Sequence, residues 1–317
     1  QDLTVSGSLS STGSVSKSGS GCLRLSGSNS YSGTTTVEMG CLQLNNASCL
    51  SGTSSVSVSA GATIDLNGFG ISNALTLNGT GMSGGGAICN KSAIAATLSG
   101  TVTFASAASV IADSGAINIS GSTVSSASTI TLGGISGGSF SGIINGARDL
   151  VKEGSGTWTL SGANSYSGST TVAGGVLQLG TSNVLPGSIF LLNGGVLRTG
   201  SSSGFSDAVG ALDVNANSTI ALGTGSHTLV FSSSSSVSWD AASVLTITGW
   251  TGGWDGTSGT GGKVYFGTSA SGLLASQVSQ VRFFDGTIYF PATMLSSGEL
   301  VPMKNTVMTG NVPSAVY

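Results

Sequence analysis

Few residues in this chain are equipped for acid–base or ligand chemistry. Its 317 residues hold 12 Asp plus Glu, 9 Lys plus Arg, one His and 4 Cys. Cleaving a polysaccharide needs clustered carboxylates, or a carboxylate beside Arg or Lys, on one face of the fold. Asp207 and Asp213, with Arg198 upstream, are the group considered for that role. One such pair with one base makes no acid–base cluster, so no hydrolase or lyase activity is expected, and the chain reads as a non-enzyme without a cofactor. His227 stands alone in a Ser- and Gly-rich stretch, which predicts a surface residue rather than a base or ligand. Gly252-Gly253-Trp254-Asp255-Gly256 has the composition of a calcium-binding turn but not its repetition, so no metal is expected. Gly84-Gly85-Gly86 follows no strong strand and opens no helix, which argues against a phosphate loop. Trp250 and Trp254 could stack on sugar rings or pack in a cap. Asn46, Asn90, Asn118 and Asn217 begin formal glycosylation sequons, which arise by chance in such a composition.

The composition excludes several classes. Charged residues are 7%, against roughly 25% in ordinary domains. Net charge is −3 and the basic residues are scattered, so no stripe for nucleic acid exists. No stretch is long and apolar enough to predict a membrane span. Gly (52) and Ser suggest disorder, but a hydrophobic fraction of 39% and regular Leu, Ile and Val alternation oppose it. The first residue is Gln1, which suggests a mature product after leader removal, and an extracellular site is expected.

An internal repeat organises the chain. Arg148 to Leu179 reads RDLVKEGSGTWTLSGANSYSGSTTVAGGVLQL; shifted back by 135 positions it recurs as Lys17 to Leu44, KSGSGCLRLSGSNSYSGTTTVEMGCLQL. From Lys17 to Leu44, 19 of 28 positions are identical without a gap. Thr157–Leu160, Thr170–Val172 and Val176–Leu179 are β-prone runs separated by Gly- and Asn-rich turns. Leu160 and Leu179 are 19 apart, as are Leu25 and Leu44. Three short strands in that length make one coil of a parallel β-solenoid. An offset of 135 then predicts six or seven coils, and the whole chain about 14 to 15, or roughly 70 Å at ~4.8 Å per coil.

The motif Lys152, Gly154, Gly156, Leu160, Gly162, Asn164, Tyr166, Gly168, Thr170, Gly175 and Leu177 resembles the autotransporter-associated β-strand repeat. The resemblance directly covers the two copies of the repeat, a small share of the chain. It implies a right-handed β-helix from a passenger or stalk region of secreted bacterial surface proteins, and no particular activity.

The expected fold is therefore all-β: a right-handed parallel β-solenoid with a divergent aromatic-rich C-terminal section. Residues 1–16 are an arm or opening coil, and 17–238 are the solenoid with its strong repeats at 17–44 and 148–179. Residues 239–302 carry the aromatic C-terminal coils or cap, since 10 of the 19 aromatics lie from Trp239 onward. Residues 303–317 are an extended tail. The one passable helix is Leu273 to Gln280. All four cysteines fall within the first 89 residues. Cys22 and Cys41, 19 apart, are expected on neighbouring rungs, close enough for a disulfide. Cys49 with Cys89, 40 apart or two coils, is the favoured second pair among three pairings. The leading functional expectation is a structural subunit of an extracellular fibre or surface layer that stacks head to tail with itself. In that scheme Thr306, Val307, Met308, Val312 and Tyr317 add as a strand to the next subunit. A surface adhesin presenting its ladders to cell-surface glycans is the alternative, and a polysaccharide-active enzyme the third.

Overall fold

The structure, a computed structural model, describes residues 2–125 and 128–304. It is a parallel β-solenoid of about 11 turns with three faces. The first face stacks Leu3–Val5, Cys22–Leu25, Cys41–Leu44, Thr63–Asp65 and Ile88–Cys89, then the second half of Val102–Ala112. It continues through Ile130–Gly134, Leu150–Lys152, Thr170–Val172 and Phe190–Asn193 to the second half of Asp207–Ala216. The second face runs from Ile71 and Ala96–Leu98 through Thr157–Leu160 and Val176–Leu179 to Leu245–Thr248 and Val281–Phe284. The third face begins with Val15–Lys17, Thr35–Val37, Ser55–Val58 and Ala74–Gly79. Period-2 alternation sends Leu25, Leu42, Leu44, Ile64, Val110 and Leu132 inward to one continuous core, all fully or nearly fully buried.

The pairings place equivalent strands of the two strong repeats on different faces. Third-face strands begin at residues 15, 35, 55, 74, 102, 123 and 145, so six full turns follow Lys17, and Lys152 then lies one face further on. The Cys22 strand is on the first face; its counterpart, Thr157–Leu160, is on the second. The offset of 135 is thus six and one third turns. Longer turns, and a C-terminal section that leaves the solenoid, reduce the expected 14 to 15 coils to about 11. The rod is correspondingly about 50 Å long at ~4.8 Å per rung.

Each motif residue has a mechanical reason that recurs in both copies. Lys17 and Lys152 stand in inward columns, level with Val37 and Val172 on the next rung. Their stems lie among aliphatic side chains and each ammonium turns to a corner of the coil. There Lys17 Nζ donates to the carbonyls of Ser18, Gly19 and Met39 at 3.0, 2.7 and 2.9 Å. Lys152 Nζ donates to Glu153, Gly154 and Gly174 at 2.7, 2.9 and 2.9 Å. Asn29 and Asn164 each tie three rungs: Oδ1 accepts from the N–H of Leu9 or Ile144 below, and Nδ2 donates to the carbonyl of Cys49 or Val184 above. Tyr31 and Tyr166 are buried, their hydroxyls 2.6 Å from Thr35 and Thr170 Oγ1. Gly33 and Gly168 lie so close to the preceding rung that a Cβ would fall 2.3 and 2.1 Å from the carbonyl oxygens of Gly13 and Arg148.

The two ends differ. At the N-terminal end Leu3–Val5 pairs, among the described residues, only with Cys22–Leu25, and Leu3 is exposed. At the other end Tyr289–Met294 and Glu299–Pro302 run antiparallel across Val281–Phe284 and Gly262–Phe266. The helix Ala275–Ser279 falls inside the expected stretch, and Gln277 Nε2 pins it to the carbonyls of Ser234 and Val237.

Lys152→Met keeps the apolar stem but leaves three carbonyls without their donor. It is expected to cost at least about 2 kcal/mol in urea unfolding, because buried orphaned acceptors carry their desolvation penalty. Gly168→Ala is expected to destabilise similarly through its clash. Gly187→Ala, where a Cβ meets nothing within 4 Å, should change stability by less than about 0.5 kcal/mol.

Candidate functional site

The groups considered for catalysis do not converge. Asp207 lies on the third face, Asp213 on the first and Arg198 on the second. Asp207 is buried at a corner, where Oδ2 accepts the N–H groups of Val184 and Leu185 and Oδ1 that of Ala208. Burial raises its carboxyl pKa and the three N–H donors act against that rise. Among the described residues Arg198 reaches only Gln178, at 3.4 Å.

His227 is buried, contrary to the expected surface position. Its ring is seated between Gly204 and Gly262, where a Cβ would fall 2.0 and 2.4 Å from Cε1. Nδ1 lies 3.0 Å from the carbonyl of Gly225 and Nε2 lies 2.9 Å from Thr199 Oγ1. A carbonyl only accepts, so Nδ1–H donates to Gly225, and Nε2 faces a hydroxyl that itself accepts the N–H of Gly223. The imidazole is a wedge between rungs. Both flanking glycines were visible in the sequence, but they are 23 and 35 residues from His227, and only the coil brings them together.

Trp250 offers no sugar-stacking face. It is buried edge-on against Phe283 with centroids 5.2 Å apart, and its N–H donates to Gly253. One face of Trp254 lies on Phe290, at 4.5 Å. Both tryptophans pack in the C-terminal section.

A groove lies on the first face near the N-terminal end. Its floor is the outward row of three successive strands: Cys22 and Arg24, Cys41 and Gln43, Thr63 and Asp65. Met82, Ser83 and Gly85 overhang it, Lys91 also lines it, and it encloses roughly 400 Å³. The overhang is an excursion between Ala74–Gly79 and Ile88–Cys89. Thr63 holds it in place by accepting the Met82 N–H and donating to the Gly86 carbonyl.

A polar ladder runs up this groove. Arg24 pairs with Asp2 at 3.1 Å and with Gln43 Oε1 at 3.0 Å, and Gln43 Nε2 donates to Asp65 Oδ2 at 2.8 Å. Asp65 Oδ1 accepts the N–H groups of Asn67 and Lys91. The Cys22 N–H and then the Arg24 guanidinium hold the exposed Asp2 carboxyl below its usual pKa. Sequence reasoning missed this ladder. Its only signal is the recurrence of polar residues at 2, 24, 43 and 65, steps of 22, 19 and 22.

All four thiols are free in the structure, which keeps one expected pair adjacent and moves the other apart. Cys22 and Cys41 are direct register partners, both half-buried. Burial first, and then the neighbouring Cys22 thiol, push the Cys41 pKa well up. Cys49 and Cys89 are not partners. Cys49 lies on the second face beside Asn29, whereas Cys89 lies on the first between Asp65 and Ile111. The excursion after Gly79 lengthens that turn, so the stretch from Cys49 to Cys89 spans one and two thirds coils, not two. Burial pushes the Cys49 and Cys89 thiols up to about 11 and about 12.

Asp65→Ala removes the acceptor for two backbone N–H groups and Gln43. It is expected to cost about 2 kcal/mol in urea unfolding. Arg24→Ala, at an exposed pair, should cost less than about 1 kcal/mol.

Comparison with known proteins agrees with this architecture. The passenger-associated-transport-repeat model matches residues 15–44 and 150–179, the two stretches built around the lysine cages. The adhesin BmaC autotransporter of Brucella suis biovar 1 (strain 1330) is 34% identical over 265 residues. That alignment covers 78% of this chain, and the chain spans only 7% of that relative's length. No solved structure matches the chain. No helix among the described residues is long and apolar enough to cross a membrane. With both matched repeats built alike and 78% of the chain aligned to an autotransporter adhesin, this chain belongs to the autotransporter-associated repeat family of secreted or cell-surface β-solenoids.

Proposed function

We propose that this chain is a non-catalytic adhesin segment of a bacterial surface passenger, binding through its lateral faces. The observation that carries this is the 34% identity to an autotransporter adhesin, which extends over 265 residues and so covers far more than the two repeats.

The surface chemistry supports the proposal. With 7% charged residues, the outer rows are mainly hydroxyls and amides, suited to the hydroxyls of cell-surface glycans. Each such contact is weak against water, so useful affinity must come from many contacts along a rigid rod. Trp250 and Trp254 are given no part, because Trp250 is buried and one face of Trp254 lies on Phe290.

Head-to-tail growth as a fibre subunit has less support. The C-terminal end is crossed by antiparallel strands that cover the last coils. The tail residues suggested for bridging, Thr306, Val307, Met308, Val312 and Tyr317, lie outside the described residues.

The test is binding of the purified chain to immobilised cell-surface glycans and to whole cells. Saturable binding is expected, with a midpoint that moves less than about threefold between about 0.05 and 0.5 M salt, since few charges are there to be screened. Absence of saturable binding, together with filaments in negative stain, would favour the fibre. Release of new reducing or unsaturated ends from a polysaccharide would favour an enzyme.

A further inference from the structure

We propose that Cys22 and Cys41 are an oxidative modification site and form a disulfide across the first two full rungs. The two residues are register partners on adjacent parallel strands. Adjacent strands lie about 4.8 Å apart, within the ~4.4–6.8 Å of Cα separation that a disulfide spans. Their neighbours hold that register: Arg24 and Gln43, two residues on, are hydrogen-bonded at 3.0 Å, and the Asp2 carboxylate accepts the Cys22 N–H at 2.8 Å. Leu42 and Leu44 point inward, so Cys41 points out, and both thiols line the groove that opens to solvent. An oxidant can therefore reach them.

The remaining thiols do not compete. Cys49 and Cys89 are buried and lie on different faces. Cys89 is level with Asp65, so the Thr63–Asp65 strand separates it from Cys41. Of the three possible pairings, only the one containing Cys22–Cys41 joins neighbours.

The oxidant is a reactive disulfide, such as a protein disulfide oxidase or oxidised glutathione, in the oxidising compartments that secreted chains enter. One thiolate attacks the oxidant's disulfide, forming a mixed disulfide and releasing one oxidant thiolate. The second protein thiolate then displaces the other oxidant sulfur. The two cysteines lose two protons and two electrons, and the oxidant leaves as two thiols. The bond closes a loop of one coil beside the Leu3–Val5 strand, which pairs with Cys22–Leu25.

The experiment uses the full chain treated with oxidised glutathione, alkylated, and digested without reduction. A Cys22–Cys41 cross-linked peptide is expected, lighter than its two reduced halves by two hydrogens. Trypsin leaves Cys41, Cys49 and Cys89 in one fragment, since no Lys or Arg lies between Leu25 and Asn90. A Cys49→Ser/Cys89→Ser double variant must therefore retain the cross-link, and Cys41→Ser must lose it. Wild-type chain in which all four thiols are alkylated after oxidation would overturn the proposal. So would a cross-link from Cys22 to Cys49 or Cys89, or one joining two chains. Because the first readout is made on the wild-type chain, misfolding of a variant does not rescue the proposal.

Discussion

Superposition of each turn on the one below, at one rung spacing, is the constraint on which the rest of this structure depends. About 4.8 Å separates consecutive backbones. At a corner, where the chain turns and sheet hydrogen bonds stop, the carbonyls of one rung lie directly under the next. A Cβ at Gly27, Gly33 or Gly40 would come within 2.4 Å of a carbonyl oxygen of the rung before, and one at Gly162, Gly168 or Gly175 within 2.5 Å. Gly40 and Gly175 also have positive φ, 72° and 55°, a region that other residues reach only at a cost. Where carbonyls converge at a corner, Lys17 or Lys152 supplies three donors from one ammonium. A buried amine would ordinarily be destabilising; burial lowers the Lys152 pKa to about 8. Three carbonyl dipoles arranged around the charge offset part of that penalty.

Much of the fold was legible because this constraint writes itself into composition. Glycine at corners and short β-branched runs between them give a period that can be read directly, and asparagine bridging three rungs adds to it. What stayed hidden depends on the phase of the coil. Counting coils of uniform length placed Cys49 and Cys89 two coils apart. The excursion through Met82 that overhangs the first-face groove lengthened that turn and moved Cys89 to another face. His227 shows the same limit. Its surroundings are two glycines and a threonine from neighbouring turns, and nothing beside it in the sequence signals burial. The lysines are an intermediate case: the motif named them, but a lysine in a strand reads as a surface residue until its inward register is known.

The C-terminal section solves a different problem. Parallel stacking ends with an unpaired edge, and an unpaired edge recruits other strands. Here the chain reverses direction and lays two antiparallel strands over the last parallel ones. Phe231 and Phe266 stack at 5.2 Å beneath Trp239. Trp250 and Phe283 close the neighbouring corner. The concentration of aromatics after Trp239 thus follows from the loss of the repeat. Once corners are no longer superposed, glycine has no steric advantage, and large side chains fill the irregular space under the strands. Glu299 belongs to the same transition. It is buried in the last strand, and its carboxylate accepts from Ser258 Oγ and the Gly259 N–H.

The one-third-turn phase between the two strong repeats bears on how such a rod displays a surface. If the offset were a whole number of turns, equivalent outward residues of both copies would fall on one face. Any binding feature carried by the repeat would then recur along a line. Instead, the outward partners of Cys22 and Arg24 in the second copy, Thr157 and Thr159, belong to the second face. The motif residues held in common are those facing inward or at corners, where their function is the same whichever face they are on. Several of the differences between the copies are on the outward rows: Cys22 against Thr157, Arg24 against Thr159, Cys41 against Val176. Stacking therefore constrains the interior of each coil while leaving each outward row free to vary. Lateral contacts along one face must then be composed from successive, unlike coils, as the ladder of Asp2, Arg24, Gln43 and Asp65 already is.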